Sequence, residues 1–275
     1  MNIIRYAVFA AFLATMIVIP PTQAQTETLE SLQAAAKQGD QDAQAKLGEM
    51  YLKGDGVAQD DVLAVVWMQK AAEQGVPRAQ YILGGMYEYG RGVVQNETQA
   101  ADWYRKAAEQ GLAGAQNALG RAYDLGIGVA QDEIQAVSWF RKAAEQGNAT
   151  AQDNLGAMYF NGRGVAQDIE QAVSWIRKAA EQGIGQAQTR LGWMYYNGGG
   201  VTPDYVQAVN WFRKAAEQGD ADAQYFLGYM YEKGRGVARD DAQAEHWYGK
   251  ASDQGNEQAQ AALLNIMTRD LKKPE

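Results

Sequence analysis

The apolar positions of this 275-residue chain fall into short stripes with helical spacing. Leu47 and Tyr51 are four residues apart, and Ala64, Trp67 and Ala71 follow one another at intervals of three and four. Residues at these intervals lie on one face of a helix. The pattern therefore predicts two amphipathic helices, each with one buried stripe.

The same pair of stripes returns along most of the chain. The dipeptide Gln-Gly occurs seven times, from Gln38-Gly39 to Gln254-Gly255, at an unbroken spacing of 36 residues. A turn of the form G-x-G-V separates the two stripes of each copy. A fixed period of this length is typical of stacked helical repeats, in which each unit packs mainly on its neighbours. The architecture therefore favours a long exposed surface over a single enclosed site.

Polar residues and glycines mark the ends of the predicted helices. The second helix of each copy is expected to start after an N-cap side chain that accepts a free backbone N–H, and to end at the Gln-Gly. A further glycine, Gly48 in the first copy, recurs inside the first helix of each repeat. Glycine in a helix interior lowers helix stability by roughly 1 kcal/mol relative to alanine. We expect it to allow close approach of the second helix with its tryptophan. The N-cap residues are Asp60, Asn96, Asp132, Asp168, Asp204 and Asp240.

These recurring residues resemble the Sel-one-like repeat (SLR), a relative of the tetratricopeptide repeat. The pattern is A-x-x-x-L-G-x-x-Y-x-x-G-x-G-V-x-x-D, followed by A-x-x-W and K-A-A-E-Q-G. The resemblance implies an all-α fold, a right-handed α/α superhelical solenoid of six 36-residue helix-turn-helix repeats with partial terminal capping helices. It also implies an adaptor for protein complexes, commonly in bacterial envelopes or secretions. The predicted repeats are 40–75, 76–111, 112–147, 148–183, 184–219 and 220–255.

Both ends of the chain depart from the repeat. Residues 1–24 combine Arg5, an apolar run of 14 residues, Pro20-Pro21 and a small residue at Ala24. This is typical of a secretory signal peptide cleaved after Ala24, with an uncleaved anchor as the alternative. Residues 25–39 are predicted to form a capping helix, and 256–275 a second capping helix and tail. We therefore expect a periplasmic or secreted monomer with no stable membrane insertion after cleavage.

Composition narrows the chemistry. The chain has no cysteine and a single histidine, His246, which excludes thiolate chemistry and leaves no zinc site of the usual types. A net charge of −8 without a basic stripe argues against nucleic acid, and pairs such as Arg105-Lys106 are interpreted as a solvated face. No serine is followed by the lysine of S-x-x-K. We predict no catalytic site, cofactor or metal.

The positions that the repeat leaves free on the first helix share a face distinct from the stripe of Leu47 and Tyr51. By similarity to the tetratricopeptide superhelix, this face is predicted to line a concave groove that binds a protein or peptide partner. Trp193 is the one tryptophan outside the periodic series, and aromatic clusters are typical of interface hot spots. The predicted groove residues are Trp193, Tyr196, Tyr225, Tyr229, Tyr81, Tyr89, Arg121, Asp153, Asn197 and Lys233.

Three other interpretations stay open at this point. Tryptophan and tyrosine also stack on sugar rings, so a glycan- or peptidoglycan-binding module is one alternative. An envelope hydrolase acting on β-lactams or cell-wall peptides is another. The third is structural: the aromatic side chains thicken the packing between neighbouring repeats and bind nothing.

Overall fold

The computed structural model describes residues 23–270, and every regular element in that range is an α-helix. The predicted signal peptide lies outside the described residues except for Gln23 and Ala24, which open α1. The helices, in chain order, are α1 (Gln23–Lys37), α2 (Gln41–Lys53), α3 (Asp61–Glu73), α4 (Pro77–Tyr89), α5 (Glu97–Glu109), α6 (Ala113–Leu125), α7 (Glu133–Glu145), α8 (Ala149–Asn161), α9 (Ile169–Glu181), α10 (Gly185–Asn197), α11 (Tyr205–Glu217), α12 (Ala221–Lys233), α13 (Asp241–Asp253) and α14 (Glu257–Asp270).

The helices form six hairpins stacked side by side. We call the first helix of each hairpin an A helix (α2, α4, α6, α8, α10, α12) and the second a B helix (α3, α5, α7, α9, α11, α13). Contacts concentrate between helices that are consecutive in the chain, both within a hairpin and between one hairpin and the next. Helix α1 packs on α2 at one end, and α14 packs on α13 at the other. The all-α solenoid predicted from the period is confirmed.

Capping residues set the helix ends where the sequence predicts them. The Asp60 carboxylate accepts a hydrogen bond from the backbone N–H of Leu63 at 2.9 Å, and the other five predicted N-cap residues do the same in their own helices. Each B helix ends at its Gln-Gly, as at Gly75, whose φ of 94° is left-handed. Gly92 is the second glycine of a G-x-G-V turn. A Cβ added there would overlap the backbone carbonyl of Asp61. That glycine therefore allows one hairpin's turn to sit against the preceding B helix.

The side chain packed against each A-helix glycine is not the tryptophan. A Cβ on Gly120 would lie 2.6 Å from Cδ1 of Phe140, a ring that is 1% exposed. The predicted close approach is correct, but the residue involved is the one that follows the tryptophan. This residue lies four positions after the alanine that recurs in each B helix, such as Ala136 before Phe140. Four positions are about one helical turn, so its side chain points into the same core as the alanine. The residues at this position are Met68, Tyr104, Phe140, Ile176, Phe212 and Tyr248.

Each periodic tryptophan instead packs on the core formed by its own A helix and the helix that precedes it. Trp103 of α5 is half-buried against the core formed by α3 and α4. Lys106 covers its outer face, with Nζ 3.8 Å from the ring centre, a favourable cation–π geometry. In the following hairpins Arg141 donates to the Tyr159 hydroxyl at 2.9 Å. The Arg-Lys pairs lie on a largely exposed face, as interpreted from the sequence, and Arg141 also contacts the next hairpin there.

Two glutamines of each repeat form a buried chain of hydrogen bonds along the solenoid. Gln80 donates to the carbonyl of Ala72 in the preceding B helix at 3.0 Å, and its own oxygen accepts from Gln110 at 2.8 Å. Both ends of the amide are satisfied in this way, although Gln80 is buried. The same pair of bonds recurs at Gln116, Gln152, Gln188 and Gln224.

Candidate functional site

The A helices present a continuous outer surface, which we call the A-helix face; it comprises the positions that the repeat leaves free. Charged side chains from successive A helices pair across it. Arg78 of α4 forms an ion pair with Glu49 of α2, and its guanidinium lowers the pKa of the Glu49 carboxyl. Two helices on, Arg121 lies 3.7 Å from Glu88. These pairs balance charge between hairpins and leave little unpaired charge on this part of the face.

Asp153 is not available on the surface. Its side chain is almost fully buried, and its carboxylate forms an ion pair with Arg190 of α10 at 2.5 Å. The prediction that Asp153 lines the groove was therefore wrong, because this turn of α8 faces the next A helix. Arg121, by contrast, is half-exposed as predicted, although its charge is directed to Glu88.

Two of the predicted tyrosines, Tyr196 and Tyr229, pack between the last hairpins. The rings of Tyr196 and Tyr229 meet edge to face with centres 6.1 Å apart, and Tyr205 joins them. Arg235, from the G-x-G-V turn of the last repeat, lies within 5.7 Å of all three ring centres and donates to the Tyr196 hydroxyl. Burial, with the hydrogen bond to Tyr229, raises the pKa of Tyr196 to about 12.

Tyr225 is also engaged in packing. Its ring contacts those of Phe226 and Tyr248, with centres 5.2 and 5.7 Å away. Burial raises the pKa of the Tyr225 hydroxyl. Tyr196, Tyr225 and Tyr229 are therefore half-buried rings that pack between hairpins, as the structural alternative expects, and their role as groove residues stays a prediction.

The remaining predicted residues are exposed but do not form one cluster. Tyr81 and Tyr89 lie on α4, and the ring of Tyr89 is 66% exposed. Trp193 is 42% exposed on α10, three A helices further along. Asn197 is exposed at the end of α10, and Lys233 of α12 pairs with Glu232 at 2.6 Å. The structure separates the predicted groove into an aromatic site on α4 and another at Trp193.

A cleft of about 270 Å³ opens beside Trp193. It lies between α8 and α10, with a B-helix side chain of α9 at its floor. Of its lining residues only Trp193 belongs to the predicted groove set, and Ile176 and Arg190 are among those that sequence reasoning missed. The signal for Ile176 was present, because an isoleucine interrupts a position that is aromatic in four of the six repeats. The lining residues are Ala157, Phe160, Asn161, Ile176, Arg190, Trp193 and Met194.

Groups with other chemistry are sparse in the part of the chain that the structure describes. Within residues 23–270, no three His, Cys, Asp or Glu side chains are grouped so as to hold a metal ion. His246 is exposed, with its ring edge against Trp247. None of the fourteen described helices combines the length and the apolar character that crossing a membrane requires.

Comparison with known proteins gives a consistent result over the whole solenoid. The family model of the Sel1 repeat matches six consecutive segments, 41–76, 77–112, 113–148, 149–184, 185–220 and 221–256. Comparison with curated protein sequences finds no match.

Two solved structures are similar over most of the chain. A Sel1 repeat protein from Oxalobacter formigenes is 34% identical, over 83% of this chain and 95% of its own, with a TM-score of 0.73. A protective antigen present in uropathogenic Escherichia coli strains, which displays an SLR fold, is 39% identical over 89% of this chain, with a TM-score of 0.69. The chain spans 60% of that antigen's length.

Proposed function

The chain belongs to the Sel1 repeat family, and we propose that it is a non-catalytic scaffold that binds a protein or peptide partner on its A-helix face at Trp193. Proteins with this repeat generally mediate protein–protein interactions. The observation that carries the proposal is the exposure of Trp193. Tryptophan is among the residues that dominate interface energies, because its large ring loses much water-exposed apolar area on binding.

The rest of the face supports Trp193 as the centre of the site. Glu49, Glu88 and Asp153 already have ionic partners on the next A helix. Partly exposed ion pairs such as Glu49–Arg78 contribute little to affinity and influence which partners are tolerated. The tyrosines around Arg235 are committed to packing. Trp193 and its cleft are thus the part of the face where a partner can bury apolar surface without breaking contacts between hairpins.

Partner capture with a matched pair of variants tests the proposal. The chain from residue 25 onward is immobilised and exposed to an extract of its own organism; captured proteins are identified by mass spectrometry, and binding is then measured with the purified partner. Trp193→Ala should reduce affinity at least tenfold, a typical loss at a hot spot. Ile134→Ala removes an exposed apolar side chain from B helix α7 and should leave affinity unchanged.

Circular dichroism and thermal melting of both variants separate lost binding from lost folding. Equal capture by the wild type and Trp193→Ala would contradict the proposal. Tyr225 and Tyr229 are poor probes, because their rings pack against Tyr248 and Tyr196 and their removal would loosen the last hairpins. Sedimentation with insoluble peptidoglycan, or turnover of a chromogenic β-lactam, would instead favour the glycan-binding or hydrolase alternative.

Export is the second part of the proposal and rests on residues 1–24, which carry the pattern of a signal peptide. The mature protein would then act in the periplasm or outside the cell. Mass spectrometry of the protein from a fractionated culture checks this directly. The expected result is a chain that begins at Gln25 in the periplasmic or culture fraction. A full-length chain in the cytoplasmic fraction would contradict it.

A further inference from the structure

One B-helix position differs between repeats in a way that changes the A-helix face. In the second repeat it holds Tyr104, whose ring covers Gly84, with Cδ1 2.7 Å from where a Cβ would lie. The ring continues outward along α4. Its hydroxyl is 3.6 Å from the equivalent Cβ position of Gly85 and donates to Glu88 at 2.5 Å. The aromatic ring therefore fills the space between its A-helix glycine and the position four residues on.

In the fourth repeat the same position holds Ile176. Its Cγ1 lies over Gly156, 2.6 Å from the Cβ position, so the inner half of the space is filled as in the second repeat. The outer half borders Ala157 and Phe160, which correspond to Gly85 and Glu88 two repeats earlier. An isoleucine side chain is too short to reach this region. The volume that an aromatic ring occupies elsewhere is consequently open here.

An internal comparison measures this difference. In the second repeat, the space bounded by Tyr104, Glu88 and the following A helix has a volume of about 10 Å³. The cleft of about 270 Å³ in the fourth repeat shares five equivalent lining positions with that space, including Ile176 and Phe160, and is bordered in addition by Ala157 and Asn161. The residues contributed by the following A helix are Ala118, Arg121 and Ala122 in the second repeat and Arg190, Trp193 and Met194 in the fourth.

The walls of the cleft favour a neutral ring. Phe160, Ile176, Trp193 and Met194 present apolar surface. The one charged residue, Arg190, is paired with the buried carboxylate of Asp153, so its charge is balanced within the protein and does not call for an acidic ligand. Asn161 is the one uncharged polar side chain of the lining, and its amide already donates to the Ala157 carbonyl, so a sugar would leave most of its hydroxyl groups without hydrogen-bond partners, which is unfavourable.

Hydrogen-bond partners distinguish phenylalanine from tyrosine. The tyrosines at this position in the second and sixth repeats donate to Glu88 and Glu232. In the fourth repeat the residue equivalent to Glu88 is Phe160, which cannot accept a hydrogen bond. A ring that enters from the surface points its para position at the floor, where a tyrosine hydroxyl would lose its water against the apolar, almost fully buried Ile176 and Met194.

We propose that this cleft binds one aromatic side chain of the partner, phenylalanine in preference to tyrosine, in the place that the protein's own ring takes in neighbouring repeats. The inference rests on the proposed function, in that the ring belongs to a protein or peptide bound on the A-helix face. It adds the chemistry of recognition: Trp193 forms one wall of the cleft, and Ile176 determines that the cleft is open.

Binding of a small probe tests the cleft without knowledge of the partner. N-acetyl-L-phenylalaninamide is titrated into the chain from residue 25 onward while NMR follows the Ile176 methyl groups and the Trp193 indole N–H. We expect saturable chemical-shift changes at both residues. The half-saturating concentration should be at least tenfold lower than for N-acetyl-L-alaninamide, and it should also be lower than for the tyrosine analogue. N-acetylglucosamine should cause no saturable shift at either residue.

Variants then show whether the response comes from the cleft. Ile176→Phe supplies the residue that Phe140 and Phe212 provide in other repeats; it should fold, fill the cleft and weaken the probe at least tenfold. Ile134→Phe makes the same change at an exposed site of α7 and should bind like the wild type. Trp193→Ala removes a wall and should also weaken binding, which keeps the test valid if Ile176→Phe folds poorly.

The outcomes separate this inference from the proposed function. If the wild type shows no saturable shift, or if Ile176→Phe binds the probe as well as the wild type does, the cleft is not an aromatic site. Partner capture that depends on Trp193 but is unchanged in Ile176→Phe would overturn the inference and leave the scaffold function standing. Probe binding in the cleft with no captured partner would overturn the scaffold function alone.

Discussion

Glycine inside a helix has opposite roles at two positions of this protein. Gly120 of α6 lies under Phe140, and an added Cβ would come within 2.6 Å of the ring. Gly249 of α13 has no atom within 4 Å of the equivalent point. The first glycine therefore allows two helices to pack, whereas the second only adds conformational freedom to the unfolded chain.

We predict that Gly120→Ala lowers the free energy of unfolding by about 1–3 kcal/mol, because the ring of Phe140 must move. Gly249→Ala should raise it by about 0.5–1 kcal/mol, because alanine is the better helix former. Urea denaturation followed by circular dichroism measures both. A Gly120→Ala protein as stable as the wild type would show that the close approach of helices is not what requires glycine there.

Tyr104 couples stability to high pH. Burial, together with its hydrogen bond to Glu88, raises the pKa of the Tyr104 hydroxyl well above its usual range. The unfolded chain therefore loses this proton first as the pH rises, near pH ~10, while the folded chain keeps it. The group's contribution to stability is fully present below that pH and is lost progressively above it.

Tyr104→Phe should cost about 0.5–1.5 kcal/mol at pH 8, the typical contribution of one hydrogen bond. Above pH ~10 the difference from the wild type should shrink, because the variant has no hydroxyl to ionise on unfolding. Urea midpoints at pH 8 and pH 11 check the sign. Tyr89→Phe, on an exposed residue at the end of α4, is the control and should match the wild type at both pH values. A constant difference for Tyr104→Phe would contradict the coupling.

Among the helices, the glutamine chain carries a specific share of the connection between hairpins. Gln116 donates to the Ala108 carbonyl at 3.1 Å and accepts from Gln146 at 2.7 Å. It thereby joins the B helix before it to the end of the B helix after it. An exposed polar residue does not connect two helices in this way.

Gln116→Leu keeps the side-chain volume but leaves the Ala108 carbonyl and the Gln146 amide without this partner. The Ala108 carbonyl still accepts from the backbone N–H of Gly111, and Gln146 is exposed, so we expect a loss of about 0.5–1.5 kcal/mol, the typical net contribution of a hydrogen bond. Gln99→Leu, at an exposed site of α5, should change stability by no more than about 0.5 kcal/mol. Thermal and urea unfolding compare the two variants. A loss at Gln116 no larger than at Gln99 would show that the glutamine chain is incidental to stability.

Helix boundaries were predictable because their signals are local. Asp60 caps the N–H groups of its own first turn, and Gly75 ends its own helix; both need only neighbouring residues in the chain. The buried role of Gln80 was not predictable, because a polar residue in a helical pattern indicates a solvated position. Its satisfaction depends on Gln110, 30 residues later.

The candidate site was predictable only in part for the same physical reason. The exposure of Trp193 was foreseen from its position outside the periodic series. The packing of Tyr196 and Tyr229 could not be foreseen in the same way, because both rings contact Arg235, which lies in the G-x-G-V turn of the last repeat. The core position after each tryptophan was also misassigned, since spacings of three and four both fit a helix stripe. That misassignment concealed Ile176 and the cleft above it.

For the whole molecule, contacts between consecutive helices make stability a sum of short-range contributions. Each hairpin packs on the one before and the one after, so repeat stabilities and interfaces between neighbours combine approximately additively. No contact joins distant hairpins closely among those that the structure describes. Removal of a whole repeat in phase should therefore reconnect equivalent surfaces, whereas removal of half a repeat should not.

Deletion of residues 113–148, one Sel1 repeat, tests this at the scale of the molecule. It joins Leu112, which precedes A helix α6, directly to A helix α8. We expect unchanged helicity per residue and a urea m-value lower by about one sixth, because m scales with the surface exposed on unfolding. The cleft between α8 and α10 is retained, so binding of N-acetyl-L-phenylalaninamide should persist. Deletion of residues 113–130 removes α6 alone and places B helices α5 and α7 in succession; it should lose cooperative unfolding. If the two deletions are equally stable, packing in this protein is not governed by the repeat period.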